Sequence, residues 1–207
     1  MSSQASAASR TRRTQADRSA ATRHALVSAA RRLFAAHGFA EVSTDAIVAA
    51  AGVTRGALYH QFADKTALFE TVLAAVEADI ARRLADEAQA AGISDPVEAL
   101  RHAVGTWLDI CIEPEIYRIA LIDGPSVLGW KQWREVCQLH VFGLVRDLLA
   151  HAIELGRIRP QPVMPLSHVL MGASDEAALY VAEAADRTQA RAEMIEILDR
   201  FVQVLTT

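Results

Sequence analysis

The sequence predicts an all-α protein, and three observations support that prediction. Hydrophobic residues make up 52% of the 207 residues, and alanine, the strongest helix former, is abundant among them. Glycine and proline, which interrupt helices, number only 10 and 6. No stretch shows the apolar and polar alternation of a half-buried strand. A chain of this length can bury a core and form one large domain or two small ones.

The chain begins with an arm and a helix. Residues 1–17 are rich in Ser, Ala, Arg and Gln and have no apolar period, which predicts a disordered basic arm. From Arg18 to His37 apolar residues recur at helical spacing, and Gly38 ends that helix.

The segment from Ser43 to Phe62 predicts two short helices joined by a tight turn. Ile47 and Ala51 lie at helical spacing on one face of the first helix. Gly52 follows where the chain must leave that helix, and glycine adopts a positive φ there without a Cβ clash. Thr54 can then cap the second helix with its hydroxyl.

The remaining helices follow from breakers and apolar periodicity. A capping sequence, Asp95-Pro96-Val97-Glu98, marks one helix start, and glycines 92 and 156 mark two helix ends. A break is predicted at Asp123-Gly124-Pro125. Six helices are predicted after residue 64, which gives about nine in total. They run from residue 65 to about Ala90, from Asp95 to Ile112, from Glu115 to Ile122, from Ser126 to Leu155, from Pro165 to Ala184 and from Thr188 to Thr206.

The second helix of the turn carries polar side chains opposite its buried side. Leu58 and Phe62 supply the apolar face of this helix. Hydrogen-bonding and aromatic residues lie on or beside the other face: Thr54, Arg55, Gly56, Tyr59 and His60. A short helix with such a face fits a DNA major groove, which predicts a helix-turn-helix. The alternative is an ordinary helical hairpin whose polar face meets water.

The charge of the chain is distributed unevenly. Residues 1–65 contain nine basic and four acidic residues, a charge of +5, so the remaining residues carry −9 of the total of −4. A polyanion is therefore attracted to one end of the molecule and repelled from the other.

The order of elements resembles the TetR/AcrR family of transcriptional repressors. The resemblance rests on one helix, a helix-turn-helix ending in GALYHQF, a linker with Lys65, and a long helix that begins TALF. It covers about residues 20–70, and the helix count matches as well. It implies a helix-turn-helix domain over residues 18–64, in which three helices bind DNA, and a larger helical ligand-binding and dimerisation domain over residues 65–207.

The resemblance also assigns DNA contacts by position. Arg55 is the candidate for a base contact through guanine O6 and N7, and Lys65 matches a lysine that meets a phosphate at a helix start. Ser43 and Thr44 can cap the second helix or donate to a phosphate. The full set of predicted DNA-binding residues is Ser43, Thr44, Thr54, Arg55, Gly56, Tyr59, His60, Gln61 and Lys65.

The second part of the chain is expected to dimerise and to sense a ligand. In the family the last two helices pair with those of a second subunit. The apolar faces expected to do so here, which any buried helix would also show, are Leu166, Val169, Leu170, Ala173, Ala177, Tyr180 and Val181 in the first helix and Ile195, Leu198, Val202 and Leu205 in the second. Two recognition helices about 34–36 Å apart would read a palindromic operator in double-stranded DNA, so a homodimer is predicted. A small-molecule effector would shift the helix that begins at Lys65 and release the DNA. The candidate ligand-binding residues are His102, Trp107, Cys111, Tyr117, Arg118, Trp130, Trp133, Phe142, Met171 and Asp175.

Other classes of function have weaker support. The sequence contains no G-x-S-x-G, H-E-x-x-H, P-loop or glycine-rich dinucleotide turn, so no enzyme and no cofactor is predicted. Cys137 and His140 could share a metal, but no third ligand lies nearby in the sequence, and no metal is predicted. An architectural DNA-binding protein without a sensor would need only the basic first third of the chain.

The expected location is the cytoplasm. The first twenty residues lack the apolar centre of a signal peptide, and no run of about eighteen apolar residues predicts a membrane span. Cys111 and Cys137 lie in different segments without a C-x-x-C pair, which predicts reduced structural thiols.

Overall fold

A computed structural model describes residues 15–206 of the chain, and it confirms the all-α fold. Nine helical stretches account for most of these residues, and the sixth has a kink at Gly129, whose φ of +74° and ψ of 158° are not helical. They are α1 (Gln15–His37), α2 (Thr44–Ala51), α3 (Arg55–Gln61), α4 (Lys65–Ala90), α5 (Pro96–Ile110), α6 (Pro114–Gln138), α7 (Val141–Glu154), α8 (Val163–Glu183) and α9 (Arg187–Leu205).

The first three helices and the start of α4 share an apolar core. Leu26, Phe34, Ile47 and Leu58 are fully buried. The ring of Phe34 meets that of Phe69 edge to face, with centroids 5.5 Å apart. The same core continues along α4 into α5, α6 and α8 without interruption. The helix-turn-helix therefore packs directly on the helices behind it.

Two helix boundaries differ from the sequence-based predictions. Helix α1 begins at Gln15, so residues 15–17 of the predicted arm are helical, while residues 1–14 lie outside the described part of the chain. The predicted break at residues 123–125 is absent, and the chain instead breaks at Leu139 and His140, between α6 and α7. The break that is missing and the break that was not predicted compensate each other, so the count of nine helices within the described residues is unchanged.

Helix α6 continues through Pro125 because it adopts a π-helical register over Tyr117–Asp123. In this register a residue donates to the carbonyl five positions earlier, and Pro125 has no N–H to donate. The carbonyl of Ala120 accepts a hydrogen bond from Trp133 Nε1 at 3.1 Å instead. The hydroxyl of Ser126 donates to the carbonyl of Ile122 at 2.9 Å. Side chains thus satisfy carbonyls near the proline.

The break after α6 turns the chain by 53° into α7. His140 leaves helical geometry with φ −129° and ψ −102°. Gly143 then allows the start of α7 to approach the end of α6, since a Cβ at this position would come 3.1 Å from the carbonyl oxygen of Gln138. No single helix within residues 15–206 is both long enough and apolar enough to cross a membrane, and only the bent pair of α6 and α7 meets that test in combination.

Candidate DNA-binding surface and effector cavity

The turn between α2 and α3 is fixed by two capped helix starts and one glycine. The hydroxyl of Ser43 accepts from the backbone N–H of Ala46 at 3.1 Å, and that of Thr54 accepts from Ala57 at 3.2 Å. Gly52 has φ +66°, the left-handed conformation that glycine favours. Ser43 and Thr54 therefore use an acceptor lone pair on their own helices, and their hydroxyl hydrogens are left for other partners.

The outer face of α3 is exposed and carries Arg55, Gly56, Tyr59 and His60. The Arg55 side chain is 61% exposed, and its guanidinium lies 3.4 Å from the Asp45 carboxylate and over the Tyr59 ring, at 5.8 Å from the centroid. This arrangement holds Arg55 beside the face that a DNA groove would meet. Asp45 is also exposed and would lie close to any phosphate that Arg55 approached.

Three of the predicted DNA-binding residues are half-buried in the structure. Lys65 donates to the carbonyls of Phe39 at 2.8 Å and Val42 at 3.0 Å, and its ammonium lies over the Phe39 ring. The Gln61 amide donates to the Ser19 hydroxyl at 2.8 Å, which ties α3 to α1. Thr44 is half-buried at the first position of α2. Lys65 and Gln61 therefore stabilise the packing of the helix-turn-helix in the structure.

Three contacts connect the helix-turn-helix to the helices behind it. Arg31 of α1 forms a bidentate pair with Glu115 of α6, both distances being 2.8 Å, and it also contacts Asp79 of α4 at 2.6 Å. These two carboxylates, Glu115 first, raise the pKa of Arg31 further above its ordinary value. The Asp123 carboxylate of α6 accepts from the backbone N–H of Phe39 at 2.7 Å. Movement of α4 or α6 therefore reaches α1 and the loop before α2 directly.

Behind these contacts the helical domain encloses an apolar cavity of about 60 Å³. Helices α4 to α9 all contribute to its wall. Seventeen residues line it: Glu77, Leu84, Leu100, Ala103, Val104, Trp107, Ala120, Leu121, Trp133, Cys137, Val141, Val145, Leu170, Met171, Ser174, Asp175 and Val202. An apolar cavity with a few polar groups is the usual form of a small-molecule site.

The polar groups of the cavity come together at one end. Glu77 of α4, Cys137 of α6 and Asp175 of α8 are in the wall, and Arg134 lies 3.6 Å from the Asp175 carboxylate. The Cys137 thiol donates to Glu77 at 3.5 Å. The guanidinium of Arg134 lies over the Trp133 ring, 4.5 Å from its centroid. These buried ionisable groups belong to three helices that are far apart in the sequence.

Burial dominates the ionisation of this cluster. It raises the pKa of Glu77 to about 7, with a further increase from the nearby Asp175, and it raises the pKa of Asp175 to about 6 against the opposing effect of Arg134. Burial and the neighbouring Glu77 also raise the pKa of the Cys137 thiol well above its ordinary value. Cys137 is therefore a thiol at neutral pH and not a reactive thiolate.

The structure brings together four of the ten residues predicted to bind a ligand. Trp107, Trp133, Met171 and Asp175 line the cavity. Glu77 and Cys137 also line it, and Arg134 lies next to Asp175; none of these three was predicted to bind a ligand. A signal for Glu77 existed, since it is an acid at an apolar position of α4.

The other six candidates lie outside the cavity wall. Cys111 and Phe142 are buried in the general core, and Trp130 is 64% exposed. Tyr117 approaches Glu183 with its hydroxyl at 3.5 Å, and Arg118 is exposed next to Gly38. His102 is half-buried, and its Nε2 has no hydrogen-bond partner among the described residues. Their aromatic or polar character could not indicate which way each side chain pointed.

The last two helices present apolar side chains to solvent. On α9, Ile197, Phe201 and Val204 follow each other at helical spacing and are 57%, 41% and 79% exposed. On α8, Val169 and Tyr180 are exposed as well. Large exposed apolar side chains on two neighbouring helices are typical of a protein interface. Leu198 and Val202, expected at the dimer face, are instead buried within the chain. Within residues 15–206, no group of three or more potential ligands could hold a metal ion.

Comparisons with known proteins agree with this architecture. Residues 26–72 match the family described as bacterial regulatory proteins, tetR family, and residues 97–205 match the tetracyclin repressor-like C-terminal domain. The chain is 31% identical over 141 residues to the HTH-type transcriptional regulator AcrR of Shigella flexneri, a match that covers 64% of this chain and 65% of that protein. It is 24% identical to the HTH-type transcriptional repressor AcnR of Corynebacterium efficiens over 90% of this chain and 95% of that protein.

Solved structures share the fold. A TetR-family transcriptional regulator of Pectobacterium atrosepticum superposes with a TM-score of 0.76 and 30% identity, over 94% of this chain and 98% of that one. The regulator RolR in complex with resorcinol has a TM-score of 0.71 and 20% identity, over 92% and 95% of the two chains. The helix-turn-helix, the helical domain behind it and these matches together show that the chain belongs to the TetR family of DNA-binding transcriptional regulators.

Proposed function

We propose that the protein is a homodimeric repressor that binds a palindromic operator and is released by a small molecule bound in the cavity. The observation that carries this proposal is the pair of helices that reach both the cavity and the DNA-binding end. Helix α4 contributes Glu77 to the cavity wall and begins at Lys65, which holds the loop before α2. Helix α6 contributes Ala120 and Leu121 to the wall and ends its π-helical part at Asp123.

The proposed DNA contacts centre on the exposed face of α3. Arg55 reads a base edge, while Tyr59, His60 and the hydroxyls of Ser43 and Thr54 meet phosphates. Gly56 has no side chain on this face, so the backbone of α3 can approach the groove closely. Gln61 serves mainly to hold α3 against α1, and Lys65 to hold the loop before α2 against α4.

The proposed dimer forms through the apolar face of α8 and α9. Two DNA-binding ends related by a dyad read two half-sites about 34–36 Å apart, roughly one turn of the duplex. Burying Phe201, Ile197 and Val204 against a second copy would also remove three large apolar side chains from water.

The proposed release depends on the small size of the cavity. A volume of about 60 Å³ is well below the roughly 150 Å³ of a cavity known to hold benzene. A ring-sized ligand therefore binds only if the wall moves, and it favours the expanded conformation. To change operator occupancy from nearly full to nearly empty, the ligand must favour the released state by about 5 kcal/mol.

Selection of bound sequences from a random DNA pool tests the repressor half of this proposal. The expected result is one palindrome with half-site centres about 10 base pairs apart. The selected palindrome should bind two chains, and the Phe201→Glu variant should bind it much more weakly. Enrichment without a shared sequence, with steep salt dependence, would identify a non-specific DNA-binding protein instead.

A further inference from the structure

One hydrogen-bond acceptor in the cavity wall, on Asp175, and one donor next to it, on Arg134, have no partners within residues 15–206. Arg134 Nη1 and Asp175 Oδ2 are both buried and form no hydrogen bond with any described residue. The Arg134 side chain is only 8% exposed, and its 3.6 Å contact with Asp175 is an ion pair that is too long for a hydrogen bond. Leaving such groups unpaired costs free energy, so a ligand that satisfies both gains from it.

The two free positions select the head group of the ligand. An anion could accept from Arg134 but would face the carboxylates of Glu77 and Asp175. An ammonium could donate to Asp175 but would face the guanidinium. A hydroxyl does both, because one oxygen placed beside the pair accepts from Arg134 and donates to Asp175. A water molecule can make the same two hydrogen bonds in the free protein. The ligand hydroxyl would then replace that water, and the comparison that matters is between ligands with different head groups.

The charges of the cluster agree with a neutral head group. Arg134 is already matched by Asp175 across the ion pair. Glu77 accepts from the Cys137 thiol, and burial raises its pKa to about 7, so that a large fraction of this carboxyl is uncharged at neutral pH. The cluster thus approaches neutrality without a counterion from the ligand.

The remainder of the wall selects the body of the ligand. Beyond the polar end the lining is apolar, and two indole rings, those of Trp107 and Trp133, belong to it. Both indole N–H groups are already used, by the carbonyls of Ser174 and Ala120 at 3.1 Å. A ligand can therefore meet only the apolar surfaces of these rings, and flat rings pack well against such surfaces. Part of the Trp133 ring is already covered by the Arg134 guanidinium, 4.5 Å from its centroid.

We propose that the effector is a small, neutral, hydroxyl-bearing ring compound of the phenol class, with its hydroxyl bound between Arg134 and Asp175. The proposal rests on the proposed function, since it assigns the chemistry of the cavity that we take to be the effector site. Its ring lies in the apolar part, against Trp107, Trp133 and Met171. Entry of the ring widens the cavity and displaces its wall.

A series of four probes that share one ring tests the head group without any mutation. Phenol, toluene, benzylamine and benzoate are titrated into the full-length protein near neutral pH, and binding is followed by calorimetry and by the shift in melting temperature. We expect phenol to bind at least about tenfold more tightly than toluene, the difference that one satisfied buried pair supplies, and more tightly than either charged probe. Equal affinity for phenol and toluene, tighter binding of a charged probe, or no phenol binding at about 10 mM would each overturn the inference.

Two variants then locate the hydroxyl. Arg134→Met removes the donor and keeps an apolar stem, so the phenol preference over toluene should fall to within about threefold. Lys131→Ala, which changes an exposed side chain of the same helix, is the matched control and should keep the preference. If Arg134→Met does not fold, the affinities of the four probes for the unmodified protein still test the ligand class. Operator binding without ligand is measured separately, so a protein that binds its operator but prefers benzylamine refutes only the ligand class.

Discussion

Replacing Glu77 by glutamine should stabilise the protein at high pH and leave it nearly unchanged at low pH. Glu77 is buried beside Asp175, and its folded-state pKa is raised from 4.5 to about 7. A raised carboxyl pKa means that the folded state binds the proton more tightly than the unfolded state does. The stability that this proton contributes is therefore fully present below pH 4.5 and is lost as pH rises through about 7.

The expected stabilisation follows from the difference between the folded-state and unfolded-state pKa of Glu77. A change of about 2.5 pKa units at about 1.36 kcal/mol per unit amounts to about 3 kcal/mol. Glutamine keeps the shape of the side chain and an oxygen for the Cys137 thiol, but it never has to ionise. Relative to the unmodified protein, Glu77→Gln should therefore be more stable by about 3 kcal/mol at pH 8 and by less than about 1 kcal/mol at pH 4.5.

Urea unfolding of both proteins at several pH values measures this difference. The control is Glu87→Gln, which changes an exposed carboxylate on the same helix and should have no pH-dependent effect on the free energy of unfolding. An equal effect of Glu77→Gln at both pH values, or destabilisation at pH 8, would show that Glu77 is not a buried carboxyl held partly protonated by its surroundings.

The remaining predictions concern the DNA-binding end and the dimer face. Gly52→Ala should destabilise the protein by about 1 kcal/mol in thermal unfolding, because the left-handed φ strains an alanine although a Cβ would meet no atom within 4 Å; no loss would mean that the turn relaxes freely. Arg55→Ala should weaken operator binding by about 1–3 kcal/mol and relax the sequence preference. Asp45→Asn should strengthen operator binding, because it removes a carboxylate beside Arg55. Tighter binding by Arg55→Ala or weaker binding by Asp45→Asn in a DNA anisotropy titration would refute this arrangement. Phe201→Glu should yield a folded monomer in sedimentation, and a persistent dimer would move the interface elsewhere.

Local signals in the sequence predicted the DNA-binding end well. The cap residues Ser43 and Thr54, the left-handed Gly52 and the buried Leu58 all depend on residues within a few positions of one another. Such short-range stereochemistry is readable from a single chain. The family resemblance placed the same residues, and the structure gives them the expected geometry.

Features that depend on distant residues were not predictable in the same way. The break expected at residues 123–125 is replaced by a π-helical segment over Tyr117–Asp123, and Trp133 and Ser126 satisfy backbone carbonyls around Pro125. The ammonium of Lys65 donates to a backbone carbonyl of the loop before α2, which lies far from Lys65 in the sequence and meets it only in the folded chain. The polar end of the cavity joins Glu77, Arg134 and Asp175 from three helices, and their separations of 57 and 41 positions in the chain leave no sequence pattern.

The most direct test of the whole account measures whether cavity occupancy and operator binding exclude each other. The selected palindrome is labelled, bound by the protein, and titrated with whichever of the four ring probes stabilises the free protein most, while DNA anisotropy is recorded. We expect the probe to release the DNA with a midpoint set by its affinity for the free protein. The operator should weaken probe binding by the same factor by which the probe weakens operator binding. An operator that stays fully bound while the probe saturates the cavity would contradict the account.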